Sequence, residues 1–454
     1  MSSASSTAQW SSRTAFILAA VGSSVGLGNL WRFSAEAGSN GGGAFIVLYL
    51  ACVVFIGIPT IMAEFLIGRA GQASSSINSF RDLTKRSQQS KLWNSAAWAG
   101  TLSAFLILSF YSVVAAWVMA YIPRFLSGAF DGQSPTEIAA QFDQLLANPS
   151  GLIVYFFVFN VIVMWMVARG VNRGIELASK ILMPSFFFLL LALSLFSITS
   201  GWASGGTQAA ISFMFSPDFS KINADVAVSA LGQAFFSIGL GMAMMMTYGS
   251  YLPKSVSLPR SAFIVGISDT MVALIAGLAI FPIVFQYGLD FEAGAGLFFQ
   301  TLPTALISTP GGNLIGAAFF FMAIFAALTT GVALLEPAVA HTSEQLGIER
   351  GRATIYLGVA AIILGFGSLY SLQFMDLLDT KLTAAILMPF SALLIVVFVG
   401  WRLNRTIYDA EFSEQDRTLA NFLLFMLKYV APIMITVILL AGIQSNYFPT
   451  LFGG

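Results

Sequence analysis

The sequence predicts an all-α integral membrane protein made of two inverted five-helix repeats, with broken helices 1 and 6, and one extra helix. Of its 454 residues, 57% are apolar and only 9% are charged, whereas soluble domains carry about 25% charged residues. The apolar residues fall into long runs, and crossing a bilayer as helix takes about 20 such residues. Glycine-rich breaks interrupt the first and the sixth of these runs.

Eleven apolar runs are predicted to be transmembrane helices, called spans one to eleven. They lack the ten-residue alternation of a membrane barrel, so their backbone must form its hydrogen bonds within helices. In chain order, the spans are predicted at residues 12–35, 44–69, 93–125, 151–168, 174–198, 225–252, 260–287, 312–341, 353–370, 379–401 and 422–444.

Positive charge concentrates in alternate loops, which predicts the orientation of the spans. Arg81 and Lys85 follow span two, and Arg350 follows span eight, whereas Asp131 and Asp218 lie in intervening loops. Because loops rich in Lys and Arg stay in the cytoplasm, the amino terminus is expected inside and the carboxyl terminus outside.

The predicted organisation therefore alternates membrane blocks with short loops. Residues 1–9 lack the basic start of a signal peptide, so we expect a cytosolic tail. Since span one starts inside and span six starts outside, the two blocks of five spans have inverted topology. The regions are a cytosolic tail (1–11), the first repeat (12–198), an extracellular loop (199–224), the second repeat (225–401), a cytoplasmic loop (402–421), and span eleven with an extracellular carboxyl terminus (422–454).

Composition argues against several classes of protein. A net charge of zero without a basic patch beyond the inside loops argues against nucleic acid as a partner. Cys52 and His341 are the single cysteine and histidine, so neither an intramolecular disulfide nor a metal cluster is expected. No nucleophile has a His or Lys partner, so the chain is not expected to be an enzyme. The lipid bilayer is the expected partner, and no obligate protein partner is evident.

The glycine breaks span Gly22 to Asn29 and Ser237 to Gly241. Unwinding a helix at mid-membrane frees carbonyls that bind a cation and exposes half-helix N-termini that attract an anionic group. An amino-acid zwitterion carries both charges. Glycines also allow close helix packing, but breaks at matching positions of two repeats favour a transporter site.

Asp269 lies nine residues beyond Arg260, about 13 Å along a helix. An ionisable residue at that depth is costly and usually functional, so a bound cation is one natural partner. The alternative is a protonated structural acid bonded to a neighbouring helix. Hard cations prefer oxygen ligands, and the membrane-embedded candidates are Ser24, Asn29, Ser237, Asp269, Thr329 and Thr330.

Motifs along nearly the whole chain identify a family resemblance. They are Trp10-x-x-Arg13, Gly26-Leu27-Gly28-Asn29-Leu30-Trp31-Arg32-Phe33, Asn40-Gly41-Gly42-Gly43-Ala44-Phe45, Gly57-Ile58-Pro59, Glu64-x-x-x-Gly68-Arg69, Gln233-Ala234-Phe235-Phe236-Ser237, Tyr248-x-x-Tyr251, Phe281-Pro282 and Leu328-Thr329-Thr330. With them the chain resembles the neurotransmitter:sodium symporter family, in particular its eleven-span bacterial amino-acid transporters. The resemblance implies sodium symport by alternating access across a bacterial inner membrane.

The resemblance implies two sodium sites. The first comprises Ser24, Asn29, Ser237 and Asp269, completed by the substrate carboxylate. The second comprises carbonyls of Gly22, Val25 and Ala326 with the hydroxyls of Thr329 and Thr330. Chloride-dependent relatives carry Asn at the position of Asp269 and Ser at that of Ala273, so no chloride requirement is expected.

The resemblance also implies an amino-acid site with a polar and an apolar end. The substrate carboxylate is expected near the amide of Gly28 and the hydroxyl of Tyr111, although a tyrosine in an apolar span also serves packing. Because Gly239 leaves room and Met242 is adaptable, a hydrophobic or aromatic L-amino acid is expected. The implied substrate-binding residues are Ser23, Ser24, Gly26, Leu27, Gly28, Ile107, Tyr111, Phe236, Ser237, Gly239, Met242, Thr330 and Leu334.

The gates depart partly from the family pattern. The outer gate is implied to pair Arg32 with Asp379 beside Gln233. At the inner gate the usual arginine is replaced by Thr7, and the facing acid is Glu344, so another cytoplasmic latch is expected. Two other interpretations remain open: an ion channel, since oxygens on broken helices also build filters, and a sensor of the same fold that binds without transporting.

Overall fold

The computed structural model describes residues 9–71, 73–289 and 294–448, and in these ranges all regular secondary structure is helical. This confirms the predicted all-α membrane class. Nine helices there are long and apolar enough to cross a membrane: Gly43–Ala70, Lys91–Leu126, Pro149–Ala168, Val171–Trp202, Leu258–Gln286, Gly312–Leu346, Arg350–Tyr370, Leu372–Arg402 and Glu414–Tyr447. They correspond to spans two to five and seven to eleven.

Span one is broken as predicted. Its halves, Arg13–Ser24 and Gly28–Ser39, are bent by 58° and count together as a tenth membrane-crossing unit. The first half ends because Val25 adopts an extended conformation, with φ −71° and ψ 103°. Backbone groups around Val25 to Leu27 are thereby released from the helix.

Span six is broken as well, into Ala224–Ile238 and Met244–Ser250. The intervening Gly239 and Gly241 have φ of +74° and +76°, a region in which a side chain is strained and glycine is not. Each half is too short to cross a bilayer by itself, so the total of eleven spans stays a prediction.

Helix boundaries differ from the prediction mainly around polar residues. Span ten begins at Leu372 rather than at 379, because the helix continues through Asp376, which pairs with Lys381 at 3.5 Å. Short helices also form in predicted loops, at Ser76–Arg86, Pro135–Ala147, Gly206–Phe215 and Leu297–Ile307. The second of these starts with a capping box between Ser134 and Glu137, which satisfies free amides at the helix start.

Spans one, three, six and eight enclose the centre of the molecule. Span eight packs against spans one, three and five. In its most apolar stretch 78% of residues are buried, against 28% in span five, so span eight is central and span five faces the surroundings. The two breaks therefore lie where four spans converge.

Candidate substrate and sodium sites

A cavity lies between the two breaks, and all thirteen residues predicted to bind substrate line it. They come from spans one, three, six and eight. Asn29 and Met244 also line the cavity, although the sequence analysis did not assign either to substrate. For Met244 the available signal was its place in a methionine-rich segment beside Met242.

One end of this cavity is polar. The Tyr111 hydroxyl accepts a hydrogen bond from the backbone N–H of Leu27 at 3.4 Å. The Thr330 hydroxyl donates to the carbonyl of Val25 at 3.2 Å. A Cβ added at Gly28 would lie 3.3 Å from the Phe236 ring, so glycine allows the ring to approach the break. This end thus combines a phenol hydroxyl with backbone amides released from the helix.

The other end is apolar and adaptable. Ile107, Met242 and Leu334 contribute buried apolar side chains. A Cβ added at Gly239 would lie 2.6 Å from the Met244 methyl carbon and 3.4 Å from the Met242 sulfur. Because methionine side chains are flexible, this wall adapts to side chains of different shape.

Three of the four residues predicted for the first sodium site form a buried triangle. The Asn29 side-chain amide donates to the Asp269 carboxylate and to the Ser237 hydroxyl, both at 2.8 Å. The Ser237 hydroxyl donates to the other carboxylate oxygen of Asp269 at 2.7 Å. The fourth residue, Ser24, instead donates to the carbonyl of Val21 at 3.0 Å.

This oxygen-rich cluster fits a hard monovalent cation. It combines a carboxylate and a hydroxyl, which are ligands suited to hard cations. Asn29 turns its NH2 group toward them, while its side-chain oxygen accepts from the backbone N–H of Gly26 at 2.9 Å. Asp269 is fully buried and has no ion-pair partner among the described residues. Tyr49 adds a hydroxyl 3.5 Å from the Asp269 carboxylate; the sequence analysis missed it, because one tyrosine in an apolar span resembles a packing residue.

The residues predicted for the second sodium site lie together between spans one and eight. The Thr329 hydroxyl is 3.0 Å from the carbonyl of Ala326, and the Thr330 hydroxyl is bonded to the carbonyl of Val25. A Cβ added at Gly22 would be 3.2 Å from the Thr329 Cβ, so the two helices touch here. Thr329 also donates to the carbonyl of Phe325 at 3.1 Å, as membrane-helix hydroxyls commonly do.

Above the cavity lies an open groove of about 770 Å³, at the end that the charge pattern predicts to be extracytoplasmic, called the outer end. Arg32 and Thr380 line this groove, and Phe236 lines both groove and cavity. The Arg32 guanidinium lies over the Phe236 ring, 4.3 Å from its centre, a cation–π contact. Phe236 therefore separates the cavity from the groove.

The residues implied for the outer gate are not latched together. Arg32 pairs with Glu36 at 3.9 Å, and no ion pair with Asp379 occurs among the described residues. Glu36 is one helical turn from Arg32 and accepts a hydrogen bond from the Ser229 hydroxyl at 2.5 Å. Arg32 therefore pairs with this neighbour rather than with Asp379. In the described part of the chain neither polar atom of the Gln233 side chain has a hydrogen-bond partner.

The opposite, inner end is closed by the segment preceding span one. Trp10 is buried, and its indole N–H donates to the carbonyl of Tyr248 at 3.0 Å. Its backbone N–H donates to the carbonyl of Tyr251 at 3.2 Å. The Ser11 backbone N–H donates to the Glu176 carboxylate at 3.0 Å. Span one is thereby fastened to spans five and six.

A buried ion pair reinforces this inner closure. Glu336 of span eight pairs with Arg350 at the start of span nine, and the Tyr251 hydroxyl donates to the same carboxylate at 2.7 Å. Glu344, the acid implied by the resemblance, instead accepts from the Ser75 backbone N–H at 2.8 Å. Thr7 lies outside the described residues. An acid within apolar span eight was the sequence signal for Glu336, which the analysis did not use.

Two broken spans that face a central cavity, with a groove at one end and a closure at the other, define a secondary transporter. The model of the sodium:neurotransmitter symporter family matches residues 7–135 and 137–452. The chain belongs to this family, and it is a multi-pass membrane protein of sodium-coupled transporter type.

Similar proteins extend this match over the full length. The sodium-dependent transporter YhdH of Bacillus subtilis is 33% identical over 446 residues, covering 95% of this chain and 97% of that protein. A sodium-dependent transporter of Haemophilus influenzae is 33% identical over 452 residues, covering 96% and 98%. The crystal structure of MhsT in complex with L-phenylalanine is similar with a TM-score of 0.85 at 37% identity, covering 96% of this chain and 99% of that chain.

Proposed function

We propose that this chain is a sodium-coupled symporter of a neutral, hydrophobic or aromatic L-amino acid that works without chloride. The observation that carries the proposal is the cavity between the breaks, which has a polar end at Tyr111 and an apolar end at Met242. The similarity to MhsT, crystallised with L-phenylalanine, supports an aromatic substrate.

The two ends of the cavity suit the two ends of such an amino acid. The Tyr111 hydroxyl and the amides near Gly28 suit a carboxylate, since charge-assisted hydrogen bonds are strong. Carbonyls near Ser23 and Phe236 suit an ammonium group. The methionine-lined end suits an apolar side chain, because burial there contributes about 25 cal/mol per Å² of apolar surface.

Two sodium ions are proposed as the driving cargo. In the first site, Ser24, Asn29, Ser237 and Asp269 would bind sodium together with the substrate carboxylate. In the second, the carbonyls of Gly22, Val25 and Ala326 and the hydroxyls of Thr329 and Thr330 would bind it. Both sites join span one of the first repeat to spans of the second repeat. Sodium binding would therefore favour one of the two conformations of span one.

Chloride independence follows from the charge of Asp269. This carboxylate lies within hydrogen-bonding distance of Asn29 and Ser237, so it balances a cation at short range. Ala273, one helical turn further on, is buried and offers no hydroxyl for an anion. A bound chloride would bring two negative charges together at this site.

The open outer groove and the closed inner end support alternating access. We place the protein in a bacterial inner membrane. The charge pattern of the loops supports a cytoplasmic amino terminus and an extracytoplasmic carboxyl terminus. Closing the groove over Phe236 and releasing Trp10 would move the site from one side to the other. The structure would then represent an outward-facing form.

Uptake into proteoliposomes tests the proposal. With an inward gradient of sodium gluconate, labelled L-phenylalanine should accumulate above its equilibrium level, and sodium chloride should give the same uptake. Choline or potassium gluconate should abolish accumulation. Uptake that is independent of sodium, or that requires chloride, would contradict the proposal. A sodium current without accumulation would indicate a channel, and saturable binding without flux would indicate a sensor.

A further inference from the structure

A second groove, of about 470 Å³, lies away from the transport pathway. It is bounded by the end of span three, the helix Pro135–Ala147 and the start of span four. Its polar lining includes Arg124, Ser127, Gln144, Asn148 and Tyr155. None of these residues belongs to the central cavity or to either gate.

Arg124 gives this groove its chemical character. Its half-buried side chain lines the groove, and its guanidinium, including the buried Nη1 atom, makes no hydrogen bond among the described residues. It makes no ion pair there with Asp143 or any other carboxylate; its contact is the Tyr121 ring, 5.6 Å away. A buried guanidinium N–H without an acceptor is costly, and the lining contains no acid. An anion with several oxygens would satisfy both Arg124 and the neighbouring amides.

The surroundings indicate which kind of molecule carries the anion. Below the groove, span four exposes apolar side chains, with Val154 66% and Val161 57% exposed. These residues suit hydrocarbon rather than water. Tyr155 lies beside them in the lining, and tyrosine favours the boundary between headgroups and acyl chains. We therefore expect the groove to lie at headgroup level, with an acyl-chain surface beneath it.

We propose that this groove binds the phosphate of an anionic phospholipid through Arg124, with Gln144 and Asn148 donating to the same headgroup. The planar guanidinium of an arginine matches the geometry of a phosphate group and can bind two of its oxygens. Span three also carries Ile107 and Tyr111 of the central cavity, so the lipid would stabilise the helix that positions them.

Native mass spectrometry of the full-length protein, with a thermal unfolding assay, tests the proposal. The probes are phosphatidylglycerol, phosphatidylcholine and soluble glycerol phosphate. Wild-type protein should retain phosphatidylglycerol preferentially and gain thermal stability from it. Arg124→Gln should weaken that retention about tenfold, the effect of losing one charge-assisted hydrogen bond. Lys221→Gln, which removes an exposed cation predicted to face the same side, is the control and should change nothing.

Three results would overturn the proposal. The first is that wild type and Arg124→Gln retain phosphatidylglycerol equally, and the second is that wild type retains phosphatidylglycerol and phosphatidylcholine equally. The third is that glycerol phosphate displaces the lipid, which would assign the groove to a soluble anion. If Arg124→Gln does not fold, Gln144→Leu with Asn148→Leu provides the test. Both side chains are exposed, and their loss should still reduce retention of phosphatidylglycerol.

Discussion

The two ends of the transport pathway are built differently. At the outer end, Arg32 and Glu36 form an ion pair with about a third of each side chain exposed, beside an open groove. At the inner end, Glu336 is fully buried and bound by both Arg350 and Tyr251, and the buried Trp10 packs against the Tyr251 ring. Exposed pairs contribute little to stability, whereas breaking a buried pair is costly. The inner closure therefore dominates the conformational balance.

This difference indicates which contacts control the cycle. Under the proposed alternating access, moving to an inward-facing form would require a buried network to open, while closing the outer end would require only surface groups to rearrange. In this cycle the free energy for the first change must come from sodium and substrate bound together, not from sodium alone, since a ligand shifts an equilibrium only by its differential affinity for the two states. Variants at the two ends should consequently differ several-fold in their effects.

The largest effect is expected from Arg350→Gln. It leaves the Glu336 carboxylate buried without its cation, which typically costs about 3–5 kcal/mol. Thermal stability should fall, and hydrogen exchange in residues 13–24 should increase as the inner end opens. Arg352→Gln, at an exposed position on the same helix, is the matched control.

A double-mutant cycle sharpens this prediction. Adding Glu336→Gln to Arg350→Gln removes the uncompensated charge, so the double variant should be more stable than Arg350→Gln alone. If the two substitutions are additive, the pair does not act as a unit and the proposed inner latch is wrong.

The next effect is expected from Asp269→Asn. The substitution removes the charge while keeping the size, so sodium and L-phenylalanine binding should weaken together, each by tenfold or more, which corresponds to about 1.4 kcal/mol. Acidification should act in the same direction, because a protonated carboxyl group is neutral and binds a cation poorly. Scintillation-proximity binding at several sodium concentrations measures both affinities. Unchanged sodium dependence in this variant would remove Asp269 from the site.

A further effect is expected from Thr329→Val combined with Thr330→Val. Both changes remove a hydroxyl and nearly conserve volume, so the protein should fold while sodium affinity falls about tenfold. Sodium should then no longer protect residues 13–24 from hydrogen exchange. Thr436→Val is the control, since the Thr436 hydroxyl donates to the carbonyl of Pro432 in its own helix, at 2.6 Å, far from the proposed site in sequence. Equal sodium protection in the double variant and the control would contradict the second site.

Much of this arrangement could be predicted from the sequence. The spans follow from apolar run length, and both breaks follow from glycines, two of which have positive φ in the structure. Because helices of two inverted repeats bring their breaks together, predicted substrate-binding residues as distant in sequence as Ser23 and Leu334 line one cavity. The polar groups at mid-membrane could also be recognised in the sequence, because they interrupt otherwise apolar runs.

The partners of charged residues could not be predicted in this way. Sequence spacing shows an acid at Glu336, but it does not show that Arg350, beyond the end of span eight, turns back to meet it. Likewise, Arg32 has two candidate acids, and only the structure shows that Glu36 binds it while Asp379 does not. Such pairings depend on how the helices pack in three dimensions, whereas the apolar runs and glycine breaks can be read directly from the sequence.

The smallest effect is expected at the outer end, from Glu36→Gln. Its exposed, one-turn ion pair with Arg32 contributes about 0.3–0.5 kcal/mol, so its loss should change the apparent affinity for L-phenylalanine only about twofold. The affinity should rise, because Arg32 is freed to approach Asp379 and close the groove over Phe236. Glutamine retains an oxygen that accepts from Ser229, so the local structure should persist.

The effect of Glu36→Gln on affinity should diminish at high ionic strength with sodium held constant, since salt screens exposed charges. Asp225→Asn, which also removes a charge from the groove, should leave the affinity unchanged. A loss of affinity for L-phenylalanine in Glu36→Gln would contradict this prediction. A loss of thermal stability as large as that of Arg350→Gln would show that the outer pair is a latch comparable to the inner one.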